Sequence, residues 1–247
     1  MPPAIPRTTA ILVAAGQSRR LQSQDGEGNR ARKPYALLEG RTVLEHACEA
    51  FARVEAVAEI VIVGHRDDLA RLNRLKASAP ALERVSRIVA GGEQRSDSVA
   101  AGVEAASAES LLVAIHDAAR PLIRPETIER ALAVAAEQGS ALVAVPMTDT
   151  VKTSSDGLHS EGTLDRSVLW CAQTPQVFRR AEFRELLERA RRENLRATDD
   201  CAVWEKYQGP VPIVRGESSN FKLTSAEDLE LAAAILRARR MEKVQGS

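Results

Sequence analysis

Short apolar runs alternate with segments of helical periodicity along the first 145 residues of the chain. Each run is apolar and β-prone over most of its length, as in strands that are buried on both faces. The pattern predicts five strands, at 9–13, 59–63, 87–90, 111–115 and 141–145.

The segments between these strands carry helix signals. Thr42 followed by Glu45 forms a capping box, and Pro125 suits the first turn of a helix. Further helices are predicted at 67–77 and 96–106. Alternation of strands and helices predicts a mainly parallel α/β sheet with helices covering both faces.

The alternation stops after residue 145. Residues 146–168 are polar and carry turn signals between short β-prone pieces, which predicts a hairpin arm that leaves the main sheet. Gln173 to Gln176 are interpreted as a polar turn. Helices around 183–190 and 200–206, a last strand at 211–214, and a helix capped by Ser225 and Asp228 complete the prediction.

Composition narrows the class of protein. A chain of 247 residues is long enough for one sizeable core, so residues 1–247 are predicted to be a single domain. Its 34 basic and 34 acidic residues balance, so no global field favours nucleic acid or an anionic membrane as partner. Three cysteines without a CxxC pair, and no signal core or apolar span, predict an unexported cytoplasmic protein that does not bind membranes.

Candidate chemistry begins after the first strand. Ala14, Ala15 and Gly16 allow backbone amides to approach an anion closely, and Arg20 and Lys33 follow with positive charge. This pattern predicts a phosphate cradle, although small residues after a first strand are often only packing. Neither GxGxxG nor GxxxxGK[ST] is present, so the ligand is interpreted as a nucleoside triphosphate held in a less common way. Residues 22–32 are polar and glycine-rich and are predicted to be a mobile flap.

Polar residues follow two other predicted strands, at the edge where open α/β sheets bind ligands. One group follows the 87–90 strand and opens a helix, where the simpler interpretation is a turn with an N-cap at Ser96 or Asp97. It consists of Gly91, Gly92, Glu93, Arg95 and Ser98. A second group follows the 111–115 strand and consists of His116, Asp117, Ala118 and Arg120. Asp117 and Arg120 predict a charged ligand between them, or pair with one another, and His116 is interpreted as a satisfied core imidazole.

Eight segments together resemble one family, the 2-C-methyl-D-erythritol 4-phosphate cytidylyltransferases of the non-mevalonate isoprenoid pathway. They are AILVAAGQSRRL, KPYALLEGRTVLEHA, GGEQRSDSVAAGV, IHDAARPLI, VPMTDTVK, LDRSVLWCAQTPQVF, ATDDCAVWE and NFKLTSAEDLELA. The resemblance covers nearly the whole chain and keeps the family's order. Ser18 stands where the family usually has glycine, Pro34 stands where it usually has glutamine, and the 22–32 stretch is longer than usual.

The resemblance implies a Rossmann-like, mainly parallel twisted sheet of nucleotidyltransferase type, and transfer of CMP from CTP to 2-C-methyl-D-erythritol 4-phosphate. It implies Mg²⁺ bound mainly through the CTP phosphates, with no protein metal site, and a homodimer joined by arm 146–168. Arg20, Lys33 and Lys222 are implied as catalytic. The implied nucleotide site is Ala14, Ala15, Gly16, Gly92, Glu93, Ser98 and Ala118. The implied polyol phosphate site is Asp117, Arg120, Thr174, Thr198 and Lys222, with Thr150 and Arg166 from the partner's arm.

Two alternatives remain at this point. A ribitol 5-phosphate cytidylyltransferase would share the fold and most nucleotide motifs, and would differ only at the polyol end of the site. A catalytically silent nucleotide-binding regulator would also keep the fold. A binding protein needs no charge aimed at a transition state, so the presence of five charged residues disfavours the regulator. They are Arg20, Lys33, Asp117, Arg120 and Lys222.

Overall fold

The computed structural model describes residues 5–16, 23–24 and 30–245, with side chains at 5–16 and 32–242. The strands are β1 (Thr8–Ala14), β2 (Ser23–Gln24), β3 (Arg30–Ala31), β4 (Leu37–Leu38), β5 (Arg41–Thr42), β6 (Val57–Gly64), β7 (Val85–Ala90), β8 (Leu112–Asp117), β9 (Ser140–Pro146), β10 (Lys152–Thr153), β11 (Gly162–Thr163), β12 (Trp170–Arg179) and β13 (Ile213–Arg215). The α-helices are α1 (Val43–Ala52), α2 (Leu69–Ser78), α3 (Arg95–Ala105), α4 (Pro125–Gln138), α5 (Arg180–Arg192), α6 (Asp200–Gln208) and α7 (Ala226–Gln245).

The described residues form a seven-stranded sheet in the order β13-β9-β12-β8-β1-β6-β7. Strand β12 is antiparallel to both of its neighbours, and the other pairings in this sheet are parallel. The mainly parallel α/β architecture predicted from the alternation is therefore confirmed. The five strands predicted before residue 146 correspond to β1, β6, β7, β8 and β9.

The interpretation of Gln173 to Gln176 as a turn is wrong, because these residues lie inside β12. Pro175 does not break the strand because the ladder to β9 is interrupted between Ala172 and Gln176, where no proline N–H is required. The polar side chains are buried there because each finds a partner outside the strand. Gln176, for example, accepts hydrogen bonds from the backbone of Asp200 and Cys201.

Helices cover both faces of the sheet. Successive residues of a strand point to opposite sides, so an apolar strand has side chains to bury on both faces. Leu12 of β1 faces a core formed with α1, α2 and α4, whereas Ile11 faces a core formed with α3, α5 and α6. Helix α7 packs separately against β4 and the start of α1. Within the described part of the chain, no helix combines the length and the apolar character that a membrane span requires.

The predicted hairpin arm is confirmed as a local structure. It leaves the sheet at the end of β9, pairs β10 with β11 in antiparallel fashion, and returns at the start of β12. Since β12 runs against the parallel strands, its first residues lie at their carboxyl edge. The arm is therefore rooted at the edge of the sheet where α/β proteins bind their ligands.

Candidate functional site

A cavity of about 910 Å³ opens at the carboxyl edge of the sheet. The register places Val13 and Ala14 of β1 beside Asp117 of β8 and Gly64 of β6, so the loops that follow these strands meet there. The cavity is lined by Val13, Ala14, Ala15, Gly16, Lys33, Pro34, His65, Arg66, Gly91, Gly92, Glu93, Gln94, Arg95, Ser98, Asp117, Ala119 and Lys222.

The loops after β1 and β7 touch through residues without bulky side chains. A Cβ atom at Gly91 would lie 2.5 Å from Cβ of Ala15 and 2.6 Å from Oγ of Ser98. No real Cβ tolerates such distances, so glycine is required for this approach. The predicted cradle at 14–16 and the glycines after β7 therefore form one continuous wall of the cavity.

Helix α3 starts at this wall, and its N-cap lies two or three residues before the predicted caps. Gln94 is the N-cap residue, and the Asp97 side chain accepts a hydrogen bond from its backbone N–H at 3.1 Å. The predicted N-caps at Ser96 and Asp97 are therefore wrong. Ser98 lies inside the first turns, where its hydroxyl donates to the Gln94 carbonyl at 3.2 Å. The partial positive charge of the α3 N-terminus favours an anion in the cavity.

Two cations converge on Asp117. Lys222 Nζ lies 2.7 Å from Asp117 Oδ2, and Arg95 Nε lies 3.5 Å from Asp117 Oδ1. Burial would raise the pKa of this carboxyl, but Lys222 and Arg95 outweigh burial and lower the pKa to about 2. Asp117 therefore stays ionised at neutral pH and orients two side chains that line the cavity.

Arg95 belongs to the predicted polar group after the third strand but received no role there, and Asp200 was not among the predicted site residues. Arg95 forms a bidentate pair with Asp200, at 2.8 and 2.9 Å, although the two residues are 105 positions apart. Asp200 is 3 % exposed, and Gln176 binds its backbone N–H. Burial would lower the pKa of Arg95, but Asp200 and Asp117 outweigh it and raise the pKa, so the guanidinium stays charged. The sequence signal for Arg95 is its place directly after the glycines that follow a strand.

Arg120 forms no ion pair with Asp117, so the alternative of direct pairing between them is wrong. Its Nη1 donates to the Asn220 carbonyl at 2.8 Å, and its Nη2 donates to the Ala172 carbonyl at 3.4 Å. Its Nε is buried without a hydrogen-bond partner among the described residues. Arg120 thus ties the loop after β8 to the start of β12 and to the segment that carries Lys222.

His116 is a buried structural imidazole, as predicted. Its Nε2 lies 3.0 Å from the Arg120 carbonyl, and its Nδ1 lies 2.9 Å from Oγ1 of Thr174. The same Thr174 oxygen accepts the Asp117 N–H at 3.1 Å. A carbonyl only accepts, so Nε2 carries the proton and the Thr174 hydroxyl donates to Nδ1. Both hydrogen bonds of the Thr174 hydroxyl therefore join β12 to β8.

We expect His116 to make the protein less stable in mild acid. Burial lowers the pKa of His116 to about 4, whereas the unfolded imidazole binds its proton near 6.5. Between these values the unfolded state binds more protons, so stability falls as pH falls. Urea unfolding at pH 7 and pH 5 should show the wild type losing about 2 kcal/mol more than His116→Gln. Equal losses in the two proteins would contradict this assignment.

The remaining predicted site residues do not all reach the cavity. Ala118 is fully buried and is not part of the lining, whereas Ala119 lines the cavity. Thr150, Arg166 and Thr198 are exposed and lie outside the lining, while Arg20 lies outside the described residues. His65 and Arg66 line the cavity although sequence reasoning did not select them. Their signal was the same as for Arg95, a position directly after a strand.

The flap predicted at 22–32 is described only in part. Gln22 and 25–29 lie outside the described residues, and the backbones of Ser23–Gln24 and Arg30–Ala31 pair in antiparallel fashion. Flap mobility stays a prediction. The described side chains contain no cluster of three or more His, Cys, Asp or Glu residues suited to a metal ion.

Comparison with known proteins agrees with this geometry. A family model for 2-C-methyl-D-erythritol 4-phosphate cytidylyltransferase matches residues 8–238. The enzyme of that name from Alkaliphilus oremlandii is 36 % identical over 236 residues, which are 96 % of this chain and 98 % of the relative. A bifunctional enzyme IspD/IspF from Anaeromyxobacter sp. is 41 % identical over 94 % of this chain and 58 % of its own length.

Solved structures show the same similarity in three dimensions. The crystal structure of 4-diphosphocytidyl-2C-methyl-D-erythritol synthase from Anaerococcus prevotii superposes with a TM-score of 0.79 at 28 % identity. The alignment covers 94 % of this chain and 96 % of that one. The family match spans the strands, the cavity and the segment carrying Lys222. The chain therefore belongs to the 2-C-methyl-D-erythritol 4-phosphate cytidylyltransferase family.

Proposed function

We propose that this chain transfers the cytidylyl group of CTP to 2-C-methyl-D-erythritol 4-phosphate, giving 4-diphosphocytidyl-2-C-methyl-D-erythritol and pyrophosphate. Residues 1–247 act as one nucleotidyltransferase domain. The observation that carries the proposal is the cavity at the carboxyl edge, whose walls combine the 14–16 backbone, the α3 N-terminus and the side chains of Lys33 and Lys222. Backbone amides, a helix N-terminus and lysine side chains all favour anions, so this surface suits a triphosphate and a second phosphate that reacts with it.

The reaction requires charge stabilisation more than proton transfer. An oxygen of the polyol phosphate attacks the α-phosphorus of CTP, the bond from that phosphorus to its bridging oxygen breaks, and pyrophosphate leaves with the electron pair. The attacking phosphate is already ionised near neutral pH, so no general base is needed. Lys33, with Arg20, stabilises the charge that grows on the α-phosphate and the leaving group, while Lys222 positions the attacking phosphate.

The state of Asp117, the carboxylate at the centre of the site, is an argument that a divalent ion would be bound by the substrate and not by the protein. Asp117 is occupied by Lys222 and Arg95. We therefore propose that Mg²⁺ binds mainly through the CTP phosphate oxygens, where it would neutralise their charge. The cytosine would lie against Ala14, Gly92, Glu93 and Ser98.

The proposed homodimer places the arm of each chain over the partner's site. Four apolar side chains on the arm and at its root are exposed, namely Leu158 (84 %), Leu164 (44 %), Val168 (72 %) and Trp170 (42 %). Burial of such side chains against a second copy would stabilise the arm. Thr150 and Arg166 are exposed outside their own chain's cavity, which supports their serving the partner. A cytoplasmic location is proposed with the free thiols of Cys48, Cys171 and Cys201 as support.

Pyrophosphate release tests the proposed reaction directly. Purified protein with CTP and Mg²⁺ is expected to release pyrophosphate when 2-C-methyl-D-erythritol 4-phosphate is added, and much less with ribitol 5-phosphate. Omission of either substrate is the control. A preference for ribitol 5-phosphate would support the alternative acceptor, and no release with either acceptor would refute the proposal.

A further inference from the structure

Lys33 sits on a short 3-10 turn, Lys33–Tyr35, whose first residue lines the cavity. The turn is closed by backbone hydrogen bonds from Tyr35 to Arg32 and from Ala36 to Lys33, at 2.9 and 3.2 Å. These local bonds shape the turn, but they do not attach it to the sheet. Something outside the turn must therefore determine where the lysine points.

The residue before Lys33 is fastened to the loop after β6. Arg32 Nη1 lies 2.7 Å from Asp68 Oδ1, while its Nη2 lies 3.6 Å from Asp67 Oδ2. Asp68 is the more enclosed carboxylate, with 15 % of its side chain exposed against 66 % for Asp67. A partly enclosed, short ion pair is less screened by solvent than an exposed one, so Asp68 is the stronger anchor.

The residue two positions after Lys33 is held by the same region. Tyr35 is 1 % exposed, and the guanidinium of Arg71 lies over its ring, 4.2 Å from the centroid. Burial raises the pKa of the Tyr35 phenol, and the neighbouring Asp68 carboxylate raises it further. Asp68 thus pairs with the residue before Lys33, and Arg71 covers the ring of the residue two positions after it. His65 and Arg66, which precede Asp68 in the same loop, line the cavity.

We propose that Asp68 is a positioning residue for Lys33, fastening Arg32 to the loop after β6 so that the lysine is held in the cavity. The inference rests on the proposed function, in which Lys33 acts on the reacting phosphates. A lysine side chain is long and flexible, so its aim depends on a fixed backbone. A displacement of about 1 Å at a catalytic group can cost on the order of 100-fold in rate.

The variant Asp68→Asn keeps the shape of the side chain and removes the charge that binds Arg32. We expect kcat to fall about tenfold with a smaller change in KM for CTP, because the lysine is misdirected in the transition state. Asp67→Asn is the matched control, since it removes the exposed neighbour from the same turn, and it should change kcat less than about twofold. Arg32→Gln removes the other partner and should reproduce the effect of Asp68→Asn.

A double-mutant cycle separates positioning from general damage to the fold. In a Lys33→Ala background, Asp68→Asn should lower kcat less than about twofold. The proposed effect of Asp68 on kcat acts through Lys33, and that side chain is already absent in this background. An equal loss in both backgrounds would overturn the proposal. Unchanged kcat in both Asp68→Asn and Arg32→Gln would overturn it as well.

Hydrogen exchange without substrate tests the fastening independently of catalysis. The backbone amides of Tyr35 and Ala36 should exchange faster in Asp68→Asn than in the wild type and in Asp67→Asn. Unchanged exchange would refute the anchor even if activity fell. A wild-type protein that released no pyrophosphate would refute the proposed function, while the exchange comparison would still decide whether Asp68 fastens the turn.

Discussion

Replacement of Lys33 by alanine is expected to lower kcat by about 100- to 1,000-fold, on the scale observed for loss of one donor to a developing negative charge. Lys33 lines the cavity beside the 14–16 backbone and the α3 N-terminus. We expect its charge to matter most when the α-phosphate is five-coordinate, so the transition state should lose more stabilisation than bound CTP. Steady-state kinetics measure kcat and KM, and calorimetry measures CTP affinity.

Lys76→Ala is a suitable control for this measurement. Lys76 lies on α2, outside the cavity lining, and its Nζ has a long 3.5 Å contact with the Ser86 carbonyl. Its loss should leave kcat unchanged. The assignment of Lys33 would be wrong if Lys33→Ala kept the wild-type kcat and only raised KM. That pattern means that Lys33 stabilises bound substrate and transition state equally.

The second large effect is recovery of activity when two inactive variants are mixed. In the proposed homodimer with shared sites, Arg166→Ala and Lys222→Ala proteins should both be nearly inactive, because each lesion would fall in every composite site. In a heterodimer of the two variants, both lesions would then fall in one site and the other site would be intact. Random pairing makes about half of the dimers heterodimers with one good site of two, so activity should return to about a quarter of wild type.

The structure motivates this experiment through the position of Arg166. Its Nη1 donates to the Thr148 carbonyl at 2.7 Å, so its guanidinium is held at the root of the arm and outside its own cavity. Lys222, in contrast, contacts Asp117 in the cavity wall. Subunit exchange must be shown separately with differently tagged chains. If exchange occurs without recovery of activity, Arg166 does not complete a partner's site.

Local patterns predicted most of the fold. Strands β1, β6, β7, β8 and β9 follow from their own apolar runs, and α1 follows from its capping box, which the structure contains in full. These features depend on residues close together in the chain, so tertiary contacts are not needed to identify them. The arm was predictable for the same reason, from a polar stretch with turn residues between two apolar runs.

Local patterns failed at β12, where the decisive interactions are distant. Gln173, Thr174 and Gln176 look like turn residues until their partners are known. Their hydrogen bonds reach Asn220, His116 and the N-terminus of α6, which lie 24 to 58 positions away. A buried polar side chain is favourable only when it is hydrogen-bonded, and sequence alone does not reveal such partners.

The candidate site also combines features that local sequence predicts with features that depend on distant contacts. Sequence by itself determined the α/β alternation, and it predicted the cradle at 14–16. Through the family's motifs it also predicted the candidates Lys33, Asp117 and Lys222. Only the tertiary structure decided how the charges are arranged, because Arg95 meets Asp200, and Lys222 meets Asp117, each across 105 positions of sequence. Coulomb energy depends on distance and burial, and only the packed sheet brings these groups together and removes them from water.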